Sequence, residues 1–351
     1  MNSHLDDNDN SKIKILYDLF LNRKEKVKDA HHMVDSFLSN IKKITSKKKL
    51  NEFICDNFAA FGINSPLMFS VEPDLDNSNM NILHIESAGL GLPDRDYYFD
   101  KTQKHILNEY ELFMRKYLEL FENYKCDFNN ILLIEEKLAE CTYSKVEKRN
   151  PHLMNNKFDL DTIDCNFKKF YIKDILKKLN LSPKCKINIT NPTLIRRYYE
   201  MWNCITIKNW INFYSWIYLR NIGKILCKET EESLFNFYSK KLHGIEKMKP
   251  DNERALEFVE SKLGMVLSKL YVKKYFSDDK RERITELVDY IKKTFKTKLE
   301  NNTWMLKETK LKAIEKLEKM NFKIVCPNKG EWRDYNDLII NKDATIITNL
   351  L

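Results

Sequence analysis

Gly89-Leu90-Gly91-Leu92-Pro93-Asp94-Arg95-Asp96-Tyr97-Tyr98 places two of the chain's seven glycines within three residues. A sequence so sparing of glycine uses it where the backbone demands it, and the pair predicts positive φ at this turn. Gly89, Gly91, Pro93, Arg95, Asp96, Tyr97 and Tyr98 are read as a structural motif, with Arg95 and Asp96 tying the turn down. Just before it, the apolar-rich runs Leu67–Val71 and Met80–Ile85 flank the polar segment Pro73–Asn79. That texture predicts a β-hairpin with a long loop over about 67–86.

Outward from this segment the sequence reads as helix. Eight prolines and seven glycines in 351 residues leave most of the chain without the punctuation that turn-rich sheet needs. The expected fold class is mainly α: a multi-helix bundle with one small hairpin. Met33, Val34, Phe37 and Ile41 lie at helical spacing, and Leu50, Phe53, Ile54 and Phe58 form a second set. Ile106, Tyr110, Phe113, Tyr117 and Leu120 draw one apolar stripe, read as ordinary core packing. Asn129–Cys141 continues helically, and the aromatic-rich run Ile205–Leu226 predicts a buried central helix. Ser277 is a candidate N-cap for a helix with Ile284, Leu287, Val288, Ile291, Phe295 and Leu299 on one face. A further helix over Lys307–Met320 leads into Phe322-Lys323-Ile324-Val325-Cys326-Pro327, a short strand that proline stops. Residues 1–11 read as a disordered tail, and no linker or repeat marks a clean domain boundary.

Composition excludes several classes. With 43% hydrophobic and 32% charged residues the chain is neither a membrane bundle nor disordered throughout. Its formal charge of +9 comes from 49 Lys and 11 Arg spread among 51 acidic residues. Nucleic-acid binding wants basic residues gathered on one face with stacking aromatics, so no nucleic-acid partner is expected. No stretch approaches the roughly 18 apolar residues of a membrane span, and the first twelve residues lack the apolar core of a signal peptide, so no membrane is expected either. Eight cysteines without a C-x-x-C pair fit a reducing, cytoplasmic location. The sequons at Asn180, Asn188 and Asn301 are chance matches in an Asn-rich chain.

A search for catalytic chemistry returns little. The seven histidines, His4, His31, His32, His84, His105, His152 and His243, include no pair spaced i, i+4. A zincin helix needs H-E-x-x-H because that spacing sets both imidazoles on one face beside the metal-bound water. His31 with Asp35 supplies two ligands, short of the three or four a zinc site uses. No nucleophile elbow, P-loop or dinucleotide fingerprint occurs. Glu135 and Glu136 are assigned to a solvated helix face. No catalytic or metal residue is therefore assigned.

Taken together, Phe69, Asp74, Asn77-Ser78, Ile82-Leu83 and the run Gly89–Tyr98 resemble the neprilysin and endothelin-converting-enzyme family of zinc metalloendopeptidases. Leu263-Gly264, Leu270 through Phe276, Trp304-Met305, Glu308-Thr309-Lys310, Ala313, Lys316-Leu317, Pro327 and Trp332-Arg333-Asp334-Tyr335 follow in the family's order. The similarity runs from about Lys14 to Ile340. It implies a helical N-terminal region, here about residues 12–303, that closes over a catalytic domain and admits small peptides. Residues 304–351 would then be a helix and strand leading into a truncated catalytic domain. The family's zinc ligands all come later, so the resemblance implies zinc in complete members and none held here. Where extracellular members carry cysteines, this chain has Leu16-Tyr17-Asp18-Leu19-Phe20 and Ala255, so a bridge worth about 2–4 kcal/mol is missing as a pair. That again fits the cytoplasm.

Three readings follow: an N-terminal peptidase portion inactive by itself, a binding module that holds peptides or pairs with a separately encoded catalytic half, and a remnant. The surface that a catalytic half would cover is expected to be exposed, giving poor solubility or self-association.

Overall fold

The computed structural model describes residues 7–61, 66–121, 124, 127–159, 163, 172–178, 185–328 and 330–350. The chain divides into two compact units: a smaller one, Met1–Leu21 with Lys249–Asp343, and a larger one, Asn22–Met248 with Ala344–Leu351. The division falls near residues 21, 248 and 343. No described helix is long and apolar enough to cross a membrane.

The helices are α1 (Asp7–Leu21), α2 (Val27–Lys42), α3 (Lys47–Phe61), α4 (Lys104–Glu119), α5 (Phe128–Cys141), α6 (Ile172–Lys178), α7 (Pro192–Cys204), α8 (Ile207–Leu226), α9 (Lys228–Leu234), α10 (Asp251–Tyr275), α11 (Asp278–Glu300) and α12 (Lys307–Glu318). The first helix begins at Asp7, inside the stretch expected to be a tail. Asp9 there is buried and lies 3.8 Å from Lys269, which ties that turn to α10.

In the larger unit, α8 is the central helix that its aromatic content predicts, with 14 of its 20 residues buried. Thr206 starts it by accepting the Asn209 N–H, and Asn191 with Pro192 starts α7 in the same way. Asp127 caps α5. Around α8, the Trp216 ring meets Tyr110, Phe113 and Tyr117 of α4 edge-on at 6.4, 6.1 and 5.8 Å. Phe113 stacks on Phe237 at 4.7 Å, and Trp210 packs with Tyr198 and Trp202 at 5.4 Å each. Each such buried ring contributes about 1.5–3 kcal/mol of transfer free energy, so this aromatic layer dominates the unit's core. The stripe on α4 is buried at Tyr110, Phe113 and Tyr117, while Leu120, at its end, is exposed.

The hairpin forms as β1 (Leu67–Pro73) and β2 (Asn81–Ser87), but it is half of a larger sheet. Two short strands, β3 (Lys157–Asp159) and β4 (Lys186–Ile189), extend it to four strands in the order β1-β2-β4-β3. β2 and β4 run parallel with Leu83 opposite Ile187 and His84 opposite Asn188; the other pairs are antiparallel. Asn188 is buried in β4, so its sequon is closed to a glycan, while Asn180 lies outside the described residues.

In the smaller unit, α1 lies along α10. Leu16 meets Val259, Leu263 and Val266, and the rings of Phe20 and Phe258 sit 5.3 Å apart. Phe20 and Ala255, the positions read as absent cysteines, are both buried. Helix α10 is interrupted at Leu263 (φ −122°, ψ 30°). Gly264 follows, and a Cβ added there meets nothing within 4 Å. Gly264→Ala is therefore expected to raise stability by about 0.5–1 kcal/mol, read as a higher urea midpoint at unchanged slope. The strand expected after Phe322 does not form. Val325 takes positive φ (61°) and Cys326 N–H turns back onto the Ile324 carbonyl at 2.7 Å, which curls the segment out of extended geometry.

Candidate functional site

The glycine turn is organised by one buried carboxylate. Glu135, on α5, is fully buried. Its Oε2 accepts from Tyr98 Oη at 2.8 Å, its Oε1 from Trp216 Nε1 at 3.2 Å, and Tyr110 Oη lies 3.0 Å from both oxygens. Arg220 Nη1 stands 4.0 Å from Oε1 and donates to the Leu90 carbonyl at 3.2 Å. Trp216 and Arg220 are four residues apart on α8, so one helical face supplies both.

Tyr98, on the helical turn Asp96–Phe99, carries the link to the backbone. Its Oη accepts the Gly91 and Leu92 N–H groups at 3.1 and 3.2 Å. With both lone pairs taken, its own hydrogen goes to Glu135. Three successive backbone groups, the Leu90 carbonyl and the two following amides, are thus fixed through side chains of this centre.

The two glycines serve different ends. Gly89 has positive φ (87°), as expected, and a Cβ there would lie 2.9 Å from Pro66 Cα. Gly91 does not. A Cβ at Gly91 would lie 1.6 Å from Tyr110 Oη and 2.9 Å from Glu135 Oε1, so what it supplies is space. Pro93 is exposed. Arg95 Nη1 donates to the Thr142 carbonyl at 3.0 Å, fastening the turn to the end of α5. The carboxylate that shapes the turn is that of Asp94, buried, which accepts the Asp96 N–H at 2.9 Å and pairs with Lys145 at 2.7 Å. Asp96 contributes its backbone there. Tyr97 is half-buried, with the Lys145 ammonium 5.9 Å from its ring centre.

Glu135 was assigned above to a solvated face, and that is corrected here. Ile131, Glu135, Leu138 and Ala139 share the buried face of α5, so the acidic residue sits inside the stripe and only its neighbour Glu136 reaches solvent. Burial pushes the Glu135 carboxyl up, against the pull of the Arg220 charge and the hydrogen bonds from Tyr98, Tyr110 and Trp216. Burial, and then the Glu135 charge, hold the Tyr98 and Tyr110 phenols well above their ordinary value. The folded state therefore holds the Glu135 proton more tightly than the unfolded chain does. Its contribution is complete below the ordinary glutamate value and declines as pH rises through the raised one. Glu135→Gln removes that decline, so the stability gap between the native protein and this variant is expected to narrow with rising pH, measured by urea unfolding across the acid range.

Metal ligation is tested by the donor set. Among the described residues no three His, Cys, Asp or Glu side chains converge on a point that could hold an ion. His84 is the buried histidine among them. Asn188 accepts the Asn156 N–H at 2.7 Å and donates to the Met154 carbonyl at 2.9 Å, which fixes its amide orientation. Its second amide hydrogen faces His84 Nδ1 at 3.1 Å. Nδ1 is thus the acceptor, the ring hydrogen sits on Nε2, and neither nitrogen offers a free lone pair. These residues do not fit a zinc ion.

The family model for peptidase family M13 matches residues 1–327. The neutral endopeptidase of Lactobacillus helveticus is 24% identical over 291 residues, covering 81% of this chain and 44% of that protein. Neprilysin of Mus musculus is 25% identical over 283 residues, covering 74% of this chain and 38% of that protein. The crystal structure of Mycobacterium tuberculosis zinc metalloprotease ZMP1 in complex with an inhibitor superposes with a TM-score of 0.84 at 22% identity, over 96% of this chain and 51% of that one. The chain thus spans about half the length of the proteins it matches, or less. On the family match through residue 327, with the helical fold shared, this chain belongs to peptidase family M13, as the N-terminal domain of a neprilysin-type member.

Proposed function

We propose that these 351 residues form the non-catalytic portion of a neprilysin-like zinc endopeptidase, inactive by themselves. The portion supplies a helical framework, braced by the Glu135 centre, around the space where peptides meet a zinc site built from other residues. The observation that carries this reading is the histidine pattern: seven residues with no pair one helical turn apart around a glutamate. The wiring of His84 to Asn188 supports it. A reducing, cytoplasmic location is part of the proposal. It is supported by Cys141, Cys185, Cys204, Cys227 and Cys326, which are free thiols.

The test is turnover of quenched fluorescent peptides by the purified chain, with and without a strong chelator. No chelator-sensitive cleavage is expected. Chelator-sensitive hydrolysis that copurifies with the chain through successive columns would refute the proposal.

A further inference from the structure

Helix α7 carries two surfaces. Leu194, Ile195, Tyr198 and Trp202 turn into the core of the larger unit. Beside them, and sharing Ile195, the residues Pro192, Ile195, Arg196, Tyr199 and Glu200 recur at the spacing of one helical stripe, which lines a hollow of about 440 Å³. Its far wall is the sheet. Phe158 of β3 stands opposite Ile187 of β4, and Ile189 lies two residues further along, so Phe158 and Ile189 share one sheet face. Ile189 and Ile195 are buried, whereas Phe158, Pro192 and Tyr199 are half-buried, so two aromatic rings flank open space. The volume falls within the range of about 300–1,000 Å³ that small-molecule pockets occupy.

The charges at its rim are not balanced. Glu200 is exposed, and its Oε2 accepts from Arg197 Nη1 at 2.9 Å, while Arg197 itself lies outside the hollow. The Glu200 carboxylate is thus matched by a cation that does not face the cavity. Arg196 is exposed as well, and no hydrogen bond or ion pair holds it among the described residues. An unpaired surface arginine is ordinary. One set over an apolar hollow with aromatic walls supplies the single charged group that a small-molecule site uses to fix orientation.

We infer that this hollow binds a small monocarboxylic acid with an aromatic or branched aliphatic body. The apolar floor and the two rings take the body. The Arg196 guanidinium, planar with its donors in a fork, takes the carboxylate through two parallel N–H···O bonds. Glu200 on the same rim disfavours a ligand with a second negative charge, and Arg196 disfavours a cation. The site lies wholly within the larger unit and uses no metal, so it stands or falls apart from the reading given under Proposed function.

Isothermal titration of the full chain with 3-phenylpropionate tests this. A Kd of about 0.1–1 mM is expected, the range for a ligand of this size at ordinary efficiency. 3-Phenylpropanamide, which keeps the body and loses the charge, should bind at least about tenfold more weakly. Acetate, which keeps the charge and loses the body, should not bind. Arg196→Gln should weaken phenylpropionate at least about tenfold with the urea midpoint unchanged, because the side chain is exposed and holds nothing in place. Lys208→Gln removes an equal charge at an exposed position outside the hollow and should leave the affinity as it is. No binding at about 10 mM phenylpropionate, equal affinity for the amide or for acetate, or the same response in both variants overturns the inference.

Discussion

Glu135→Ala is expected to lower the stability of the larger unit by about 3–5 kcal/mol, the range for removing one partner of a buried charge pair. The cost has three sources. Tyr98 and Tyr110 hydroxyls and the Trp216 N–H lose their common acceptor inside the core, at about 1–3 kcal/mol for each donor left unsatisfied. Arg220, held to the Leu90 carbonyl, keeps its charge with no carboxylate 4.0 Å away. A cavity opens in a layer where Tyr110 and Trp216 are already fully buried. Urea unfolding followed by tryptophan fluorescence reads the sum. A double-mutant cycle with Tyr98→Phe isolates the link to the turn, with a coupling of about 1–3 kcal/mol expected. Additive losses would mean that the carboxylate and the turn are held independently.

Gly91→Ala is the second large effect, at about 3 kcal/mol or more, the upper end for overpacking. Its added carbon would sit 1.6 Å from Tyr110 Oη and 2.3 Å from Cζ. Tyr110 has nowhere to go: its ring is 5.5 Å from Phe237 and 6.4 Å from Trp216, and its hydroxyl is committed to Glu135. Because Gly91 φ is not positive, strain in the backbone plays no part. Gly244→Ala separates the two causes. Gly244 has φ 70° with nothing within 4 Å of its added carbon, so that change should cost only the left-handed penalty, about 1–2 kcal/mol. Equal losses at the two positions would refute the steric account of Gly91.

Much of this fold was legible in the sequence because helices announce themselves over many residues. Val34, Phe37 and Ile41, or Tyr110, Phe113 and Tyr117, repeat a 3.6-residue period long enough to be read, and each set is buried. β3 and β4 are three and four residues long, too short for a period of two to stand out, and they are strands only because β2 lies beside them. Phe322–Cys326 misled in the opposite direction: its composition suits a strand, yet positive φ at Val325 breaks it.

The site shows the same limit. Gly89, Arg95 and Tyr98 could be picked out from one ten-residue run, but the carboxylate that anchors Tyr98 lies 37 positions beyond it, on α5. A signal did exist, since Glu135 falls at the fourth position after Ile131 and the third before Leu138 on a buried face. What the sequence could not disclose was the set of donors that converge there from α4, α8 and the helical turn. Their partnership is a product of packing and has no footprint in spacing.

The most direct measurement is equilibrium dialysis of the intact chain against zinc in the presence of a weak competing chelator. The account predicts only loose binding, with no site filled at one equivalent. One zinc ion retained per chain against the competitor would contradict it, because among the described residues no three ligating side chains converge on one point.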